Sequence, residues 1–197
     1  ARDLTKAGLN VLIFNQRSVQ EILDMILALS SLVGATGKGL RLIEQLESGL
    51  AKIRHDAARF ARRPRVYFEE WDEPMISGIR WVSELVEIAG GEDIFSERSF
   101  SQAASGRIVA DPRLVVEKNP EVIIGSWCGK KFRPERVAAR PGWDKVAAVQ
   151  ANQLHEVKSA DILQPGPAAL TDGVRRIHQL IRDSVSPAAR KRSSAGA

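Results

Sequence analysis

Residues 122–143 read VIIGSWCGKKFRPERVAARPGW. The apolar run Val122–Ile124 stops at Gly125, and the chain beyond it is basic and broken by Pro134, Pro141 and Gly142. A short β-branched run bounded by turn residues predicts a buried strand followed by a loop. That loop carries Trp127, the only cysteine of the chain (Cys128) and, after a basic segment, Trp143. Two tryptophans and a lone thiol in a loop need an explanation.

The flanking sequence supplies the framework. Arg65–Phe68 (RVYF) and Leu154–Val157 predict two more short strands. Helices are predicted around them: Ser77–Ala89, stopped by Gly90-Gly91, then Pro112–Lys118, a turn at Pro134–Ala139, and Ala168–Val185. The last has Leu170, Val174, Ile177, Ile181 and Val185 on one stripe. Strands alternating with helices imply an α/β fold with a parallel sheet covered on both faces.

Upstream, Leu12–Phe14 predicts a short buried strand. Ser18 with Glu21 three residues on forms a capping box that starts a helix containing Val19, Ile22, Leu23, Ile26, Leu27 and Val33. A long helix follows from about Gly39 to Arg62, with Ile43, Leu46, Leu50, Ile53, Ala57 and Phe60 on one face. Pro64 ends it, because the residue before a proline is pushed out of helical geometry.

Composition narrows the function classes. The chain has 197 residues, 44% of them hydrophobic, and a net charge of +5. Much of the positive charge lies in ARFARRPR at 58–65 and ARKRSS at 189–194. Such clusters can mark nucleic-acid binding, but helix ends and a solvated tail explain them more simply, and no nucleic-acid partner is expected. One cysteine excludes an intramolecular disulfide and a cysteine-rich zinc site. The N-terminal stretch ARDLTKAGLNVLIF has no signal-peptide anatomy, and no apolar run is long enough to span a bilayer. It reads as a helix end feeding a strand, as though the chain begins in mid-domain.

In an open parallel sheet, ligands bind outside the carboxyl ends of the strands. Three loops leave those ends: EEWDEP at 69–74, GSWCGK at 125–130 and KSADILQPGP at 158–167. Trp71 and Trp127 each fall just past a predicted strand, and Trp143 closes the segment between the second and third. Indoles at such a rim suit a broad, partly apolar ligand; as core residues they would simply cap the sheet, which is the reading for Trp81. Arg140-Pro141-Gly142-Trp143 is a turn that brings a guanidinium and an indole together. Gln164-Pro165-Gly166-Pro167 precedes the last helix, whose first-turn N–H groups can receive a carbonyl or an anion. Catalysis has little support. Cys128 could act as a nucleophile with His55, His155 or His178 as base, yet none of these is placed beside it, and neither a phosphate loop nor a metal-spaced cluster occurs.

Several motifs occur together and in order over residues 65–185: RVYFEEWDEP, GIRWVSELVEIAGGEDIF, NPEVIIGSWCGK, ARPGWDKVAAVQANQLHEV and LQPGP. Together they resemble the cobalamin-binding proteins of the class III periplasmic-binding-protein superfamily, the substrate-binding components of ABC importers. The helix–AGG–D–I–F and NPEVII elements resemble the wider superfamily, whose members also take siderophores, haem or metal chelates. SWCGK, RPGW and QPGP narrow the resemblance toward the corrinoid branch.

The resemblance implies two α/β lobes joined by a long helix, with the ligand between them and no catalytic cofactor. Residues 1–36 would then be a remnant of the N-terminal lobe, 37–63 the connector, 64–186 the C-terminal lobe and 187–197 a disordered basic tail. The opening strands of the first lobe are not in this chain, so apolar surface is expected around Leu12–Phe14, as is a truncated protein without ligand affinity as one outcome. Trp71 would lie against the corrin, with Trp127, Cys128, Gly129, Arg140, Pro141, Gly142, Trp143, Gln164, Pro165, Gly166 and Pro167 as cleft lining and Cys128 not touching cobalt. A periplasmic location and a permease partner are also implied. Importer-docking members carry a glutamate in the helix before NPEVII, whereas the matching position here is Arg113, with Asp111 or Glu117 as possible substitutes.

Overall fold

The computed structural model describes residues 1–186; the predicted tail at 187–197 lies outside them. Helix α1 (Arg2–Lys6) leads through an irregular segment to α2 (Val19–Leu32) and the long α3 (Thr36–Ala57). Strands β1 (Arg65–Asp72) and β2 (Met75–Ser77) form a hairpin, followed by α4 (Arg80–Ile88) and a two-residue strand β3 (Glu92–Asp93). Helix α5 (Arg113–Lys118), β4 (Val122–Gly125), α6 (Pro134–Ala138), α7 (Ala147–Gln150), β5 (Leu154–Glu156), α8 (Ser159–Ile162) and α9 (Val174–Val185) complete the order.

The sheet runs β2-β1-β4-β5, with β3 beside the first residues of β1. Strands β1, β4 and β5 are mutually parallel, pairing Phe68 with Ile124 and Ile124 with His155. Among the described strands only β2 runs antiparallel, folding back along the end of β1. The parallel α/β expectation therefore holds, with two strands more than the three predicted after Pro64.

Strand pleating sends alternate residues to opposite faces. Val66, Phe68, Val122 and Ile124 face a core built with Ile22, Leu23 and Ile26 of α2, Leu46 and Leu50 of α3, Leu85 of α4 and Ile177 and Ile181 of α9. Tyr67 and Ile123 face the other way, into a second core with Phe95, Trp127, Phe132 and Trp143. The capping box forms as predicted: the Glu21 amide donates to Ser18 Oγ at 3.2 Å.

Several boundaries differ from the expectations. Leu12–Phe14 is extended but pairs with no strand among the described residues, and Leu12 and Ile13 are 58% and 69% exposed. A strand needs a neighbour for its backbone groups, and none lies alongside. The long helix spans 36–57 rather than 39–62, because Arg62, Arg63 and Arg65 have other partners. Arg63 Nε donates to Gly91 O at 3.1 Å, Arg62 meets Glu121, and Arg65 Nε donates to Asn119 O at 2.9 Å. Those contacts tie the basic cluster to the segments that enter β3 and β4. The predicted helix at 168–185 divides into a π-helical turn at Ala169–Gly173 and α9. Backbone crowds that turn, since a side chain on Gly173 would fall 2.4 Å from Asp161 O.

Candidate functional site at the strand ends

The carboxyl ends of β1, β4 and β5 lie side by side, and the loops leaving them build one cluster. Strand β1 continues to Asp72, four residues beyond the predicted end, so Trp71 stands within a hairpin opposite Ile76 rather than in a loop. The ladder is irregular between Glu69 and Trp71, and such bulges re-aim side chains at sheet ends. Trp71 is half-buried, and its Nε1 donates to Glu73 O at 2.8 Å.

The centre of the cluster is Glu69, which is fully buried. Arg140 grips it in a fork, Nη1 to Oε2 at 2.6 Å and Nη2 to Oε1 at 2.9 Å. Trp127 Nε1 donates to Oε1 and the Tyr67 hydroxyl to Oε2, both at 3.0 Å. Burial is tolerable here because the charge is opposed and the oxygens are saturated with donors. Burial works against the charge of Arg140, but the bonds and proximity of Glu69 outweigh it and raise its pKa. Burial and the neighbouring Glu69 push the Tyr67 phenol well above its ordinary value.

Arg140 also lies over the Trp143 ring, 4.6 Å from its centroid, and the Trp143 amide closes the turn onto Arg140 O. Gly142 makes that turn with φ of +79°, a conformation that suits glycine. The proposed pairing of guanidinium and indole is thus present, but directed inward. Trp143 is 0% exposed and packs edge-on against Tyr67 at 6.1 Å. Burial removes it from the open cleft surface expected for it; Trp127, 3% exposed, likewise lies beneath the surface. Pro141 is exposed beside them.

Phe132 explains why the strand ends in glycine. Its ring lies against Gly125 so closely that a Cβ there would fall 1.9 Å from a ring carbon. It meets Trp127 edge-on at 5.1 Å, and its amide donates to Glu156 at the end of β5 at 3.1 Å. The loop from Ser126 to Phe132 therefore folds back over the strand ends and brings Cys128, Gly129 and Lys130 to the surface.

Lys130 is ion-paired with Asp72, a carboxylate whose side chain is only 2% exposed, and Arg136 approaches the same carboxylate at 3.6 Å. Burial opposes ionisation of Asp72, yet its bond with Lys130 and the charges of Lys130 and Arg136 prevail and lower its pKa. The same ammonium sits 4.2 Å from the Trp71 ring centroid and 5.3 Å from that of Trp127.

The remaining predicted residues are elsewhere. Gln164–Pro167 lies beyond α8, where Ala169 N donates to Gly166 O and the Thr171 hydroxyl to Pro167 O. Among the described residues no hydrogen bond, ion pair or ring contact joins it to the Trp71–Trp127 cluster. Trp81 is core as expected, its Nε1 donating to Ile162 O at 2.9 Å. Cys128 is exposed; of the candidate bases, His55 is exposed on α3, and the other two have partners away from the thiol. His155 Nε2 meets Gln153 Oε1 at 2.8 Å, and His178 Nδ1 meets Ala89 O at 2.9 Å while its ring stacks on Phe60. Among the described residues no three His, Cys, Asp or Glu side chains gather as a metal site. Arg113 is exposed and paired with Asp111 at 2.8 Å.

Sequence reasoning missed Glu69, Asp72 and Lys130. A signal existed for the first: carrying the two-residue period of RVYF onward puts Glu69 on the inward face with Tyr67.

The sequence pattern characteristic of periplasmic binding proteins matches residues 1–160. The chain belongs to that family. Three solved structures illustrate the likeness. A possible iron-binding periplasmic solute-binding protein from Staphylococcus epidermidis superposes with a TM-score of 0.74 at 18% identity, over 91% of this chain and 69% of its own. The periplasmic vitamin B12 binding protein BtuF of Vibrio cholerae gives 0.67 at 21% identity, over 93% and 69%. The periplasmic heme-binding protein RhuT from Roseiflexus sp. RS-1 gives 0.74 at 20% identity, over 91% and 71%. At these identities the likeness is one of fold, that of the class III periplasmic binding proteins. No curated protein sequence matches the chain.

Proposed function

We propose that this periplasmic binding protein holds cobalamin or a related corrinoid against the strand-end cluster, as the solute-binding component of an ABC importer outside the cytoplasm. The observation that carries the reading is the half-buried Trp71 at the end of β1, mounted beside Trp127 on a floor fixed by Glu69 and Arg140. A corrin is a wide disc with an apolar face and a rim of amides. A rigid aromatic platform with donors at its edge suits that shape. In this reading α3 is the connector, residues 1–36 belong to the opposite lobe and 64–186 form this one. Cys128, Gly129 and Pro141 border the platform, Trp127, Arg140, Gly142 and Trp143 support it, and Gln164–Pro167 stands further along the cleft. Binding involves no turnover.

The permease would meet this lobe near α5. Exposed Glu117 is the acidic group there without an ion-pair partner among the described residues, whereas Asp111 is taken by Arg113. A second ligand reading, haem or another chelate, draws on the cationic side chains Lys130 and Arg136, which lie over the Trp127 ring.

Tryptophan fluorescence titration with cyanocobalamin and with haem tests the assignment. Saturable quenching by cyanocobalamin at micromolar concentration or below supports the corrinoid reading. Quenching by haem alone replaces it with the second, and response to neither leaves a fold without this function.

A further inference from the structure

Trp71 is not a bare platform. The Lys130 ammonium lies 4.2 Å from its ring centroid and 5.3 Å from that of Trp127. Trp71 comes from β1 and Trp127 from the loop after β4, which is the strand next to β1. A cation near both rings therefore lies on the side of Trp71 that looks across the strand ends, the side on which a ligand of an open α/β sheet rests. Asp72 holds it there. That carboxylate is itself only 2% exposed, and its other cation, Arg136, stands farther off at 3.6 Å.

We infer that Lys130 is an internal occupant of the ligand platform and sets the rim chemistry the site accepts. This rests on the corrinoid reading above. A disc that stacks on Trp71 has to displace the ammonium from the ring and draw it off Asp72, leaving a buried carboxylate with its weaker partner. A ligand with amide groups at its edge gives the ammonium only a neutral carbonyl acceptor in exchange. A ligand with a carboxylate at its edge gives the ammonium a new anion and offsets the loss. The site therefore favours a flat macrocycle bearing acidic edge groups over the same macrocycle with amides.

Two measurements test this, one of them without ligand. Trp81, Trp127 and Trp143 are 5%, 3% and 0% exposed, so emission accessible to a quencher is that of Trp71. Replacing Lys130→Ala uncovers the ring, and the acrylamide quenching constant is expected to rise about twofold, while Lys130→Arg leaves it near the original value. An unchanged constant in Lys130→Ala overturns the claim that the lysine covers the indole. The second measurement titrates the original protein and Lys130→Ala with cyanocobalamin and with a corrinoid whose side-chain amides have been hydrolysed to carboxylates. The variant is expected to bind the amide form about three- to tenfold more tightly and the carboxylate form more weakly by a similar factor. Equal effects on both ligands overturn the rim preference. If neither protein binds either corrinoid, the corrinoid reading falls and the rim preference with it, while the quenching result still decides the position of Lys130.

Discussion

The two faces of the sheet are built on different terms. One is aliphatic: Val66, Phe68, Val122 and Ile124 lie under α2, α3, α4 and α9, and their neighbours are mostly Leu, Ile and Val. The other is aromatic and charged: Tyr67, Phe95, Trp127, Phe132 and Trp143 enclose Glu69 beneath short helices and loops. Long amphipathic helices cover a surface by repetition. Short segments cover it only if individual side chains reach one another, which is why bidentate arginine and indole N–H groups appear there. The charged face also carries the candidate site.

The largest expected effect tests that difference directly. Removing one partner of a buried ion pair costs about 3–5 kcal/mol, whereas replacing both by apolar groups is often close to neutral. Arg140→Ala should lower unfolding free energy by about that amount, because Glu69 is left buried and charged. The double change Glu69→Leu with Arg140→Leu should recover more than half of the loss in a denaturant titration. Phe68→Ala on the aliphatic face should cost about 3–5 kcal/mol with no second substitution that restores it. If the double variant is as unstable as the sum of its singles, the two faces do not differ in the way described.

The aliphatic face holds one buried carboxylate of its own. Asp93 pairs in register with Val66, accepts from the Phe95 amide at 3.1 Å, and has no ion-pair partner among the described residues. Burial raises its pKa to about 6, with Ser83 and the Phe95 amide offsetting part of the effect. A folded-state value above the ordinary one means that the fold favours the protonated acid. The contribution is therefore complete below about pH 4 and is lost as the pH rises through about 6. Between pH 4 and pH 8 this group should withdraw on the order of 2–3 kcal/mol of stability. Asp93→Asn should flatten that part of the pH profile and be the more stable protein at pH 8. A variant whose thermal stability follows pH as the original does would return Asp93 to an ordinary polar role.

The aliphatic face was legible in sequence because its signal is periodic. Ile22, Leu23 and Ile26, then Leu46 and Leu50, then Ile177 and Ile181 repeat at helical spacing and all are buried. The parallel order of β1, β4 and β5 followed from the alternation of apolar runs and helices. The charged face is made of contacts between residues far apart in the chain, and no period announces them. Nothing in RPGW says that its arginine reaches Glu69, 71 residues away, or that its tryptophan turns inward. Lys130 in SWCGK carries no mark of its two indoles. Leu12–Phe14 failed for the opposite reason: its local pattern suits a strand, but pairing depends on a neighbour that residues 1–186 do not place beside it.

Within the charged face, Trp71 and Trp127 divide the work differently. Trp71 is half-buried at the rim, while Trp127 is 3% exposed and bonded to Glu69. Trp71→Ala should weaken corrinoid binding by about 1–3 kcal/mol and leave the melting temperature within a few degrees. Trp127→Ala should lower both, since it opens the floor and removes a donor from a buried carboxylate. Equal losses of stability in the two variants would place Trp71 in the core and remove it from the platform.

The smallest effect is expected at Cys128. Lys130 and Lys131 are close in sequence, and nearby positive charge can activate a thiol. The Lys130 ammonium, however, is engaged by Asp72 and by both indoles, and His155 Nε2 and His178 Nδ1 have partners elsewhere. The side chain is exposed on the loop that Phe132 folds back over the strand ends. A small side chain is what such a loop needs beside a broad ligand. Cys128→Ser should therefore keep corrinoid affinity within about threefold, under roughly 1 kcal/mol. The absorption spectrum of added cobalamin should likewise show no thiolate-to-cobalt shift. A shift that disappears with serine would make Cys128 a cobalt ligand, and the loop would then be organised around the metal rather than around the indoles.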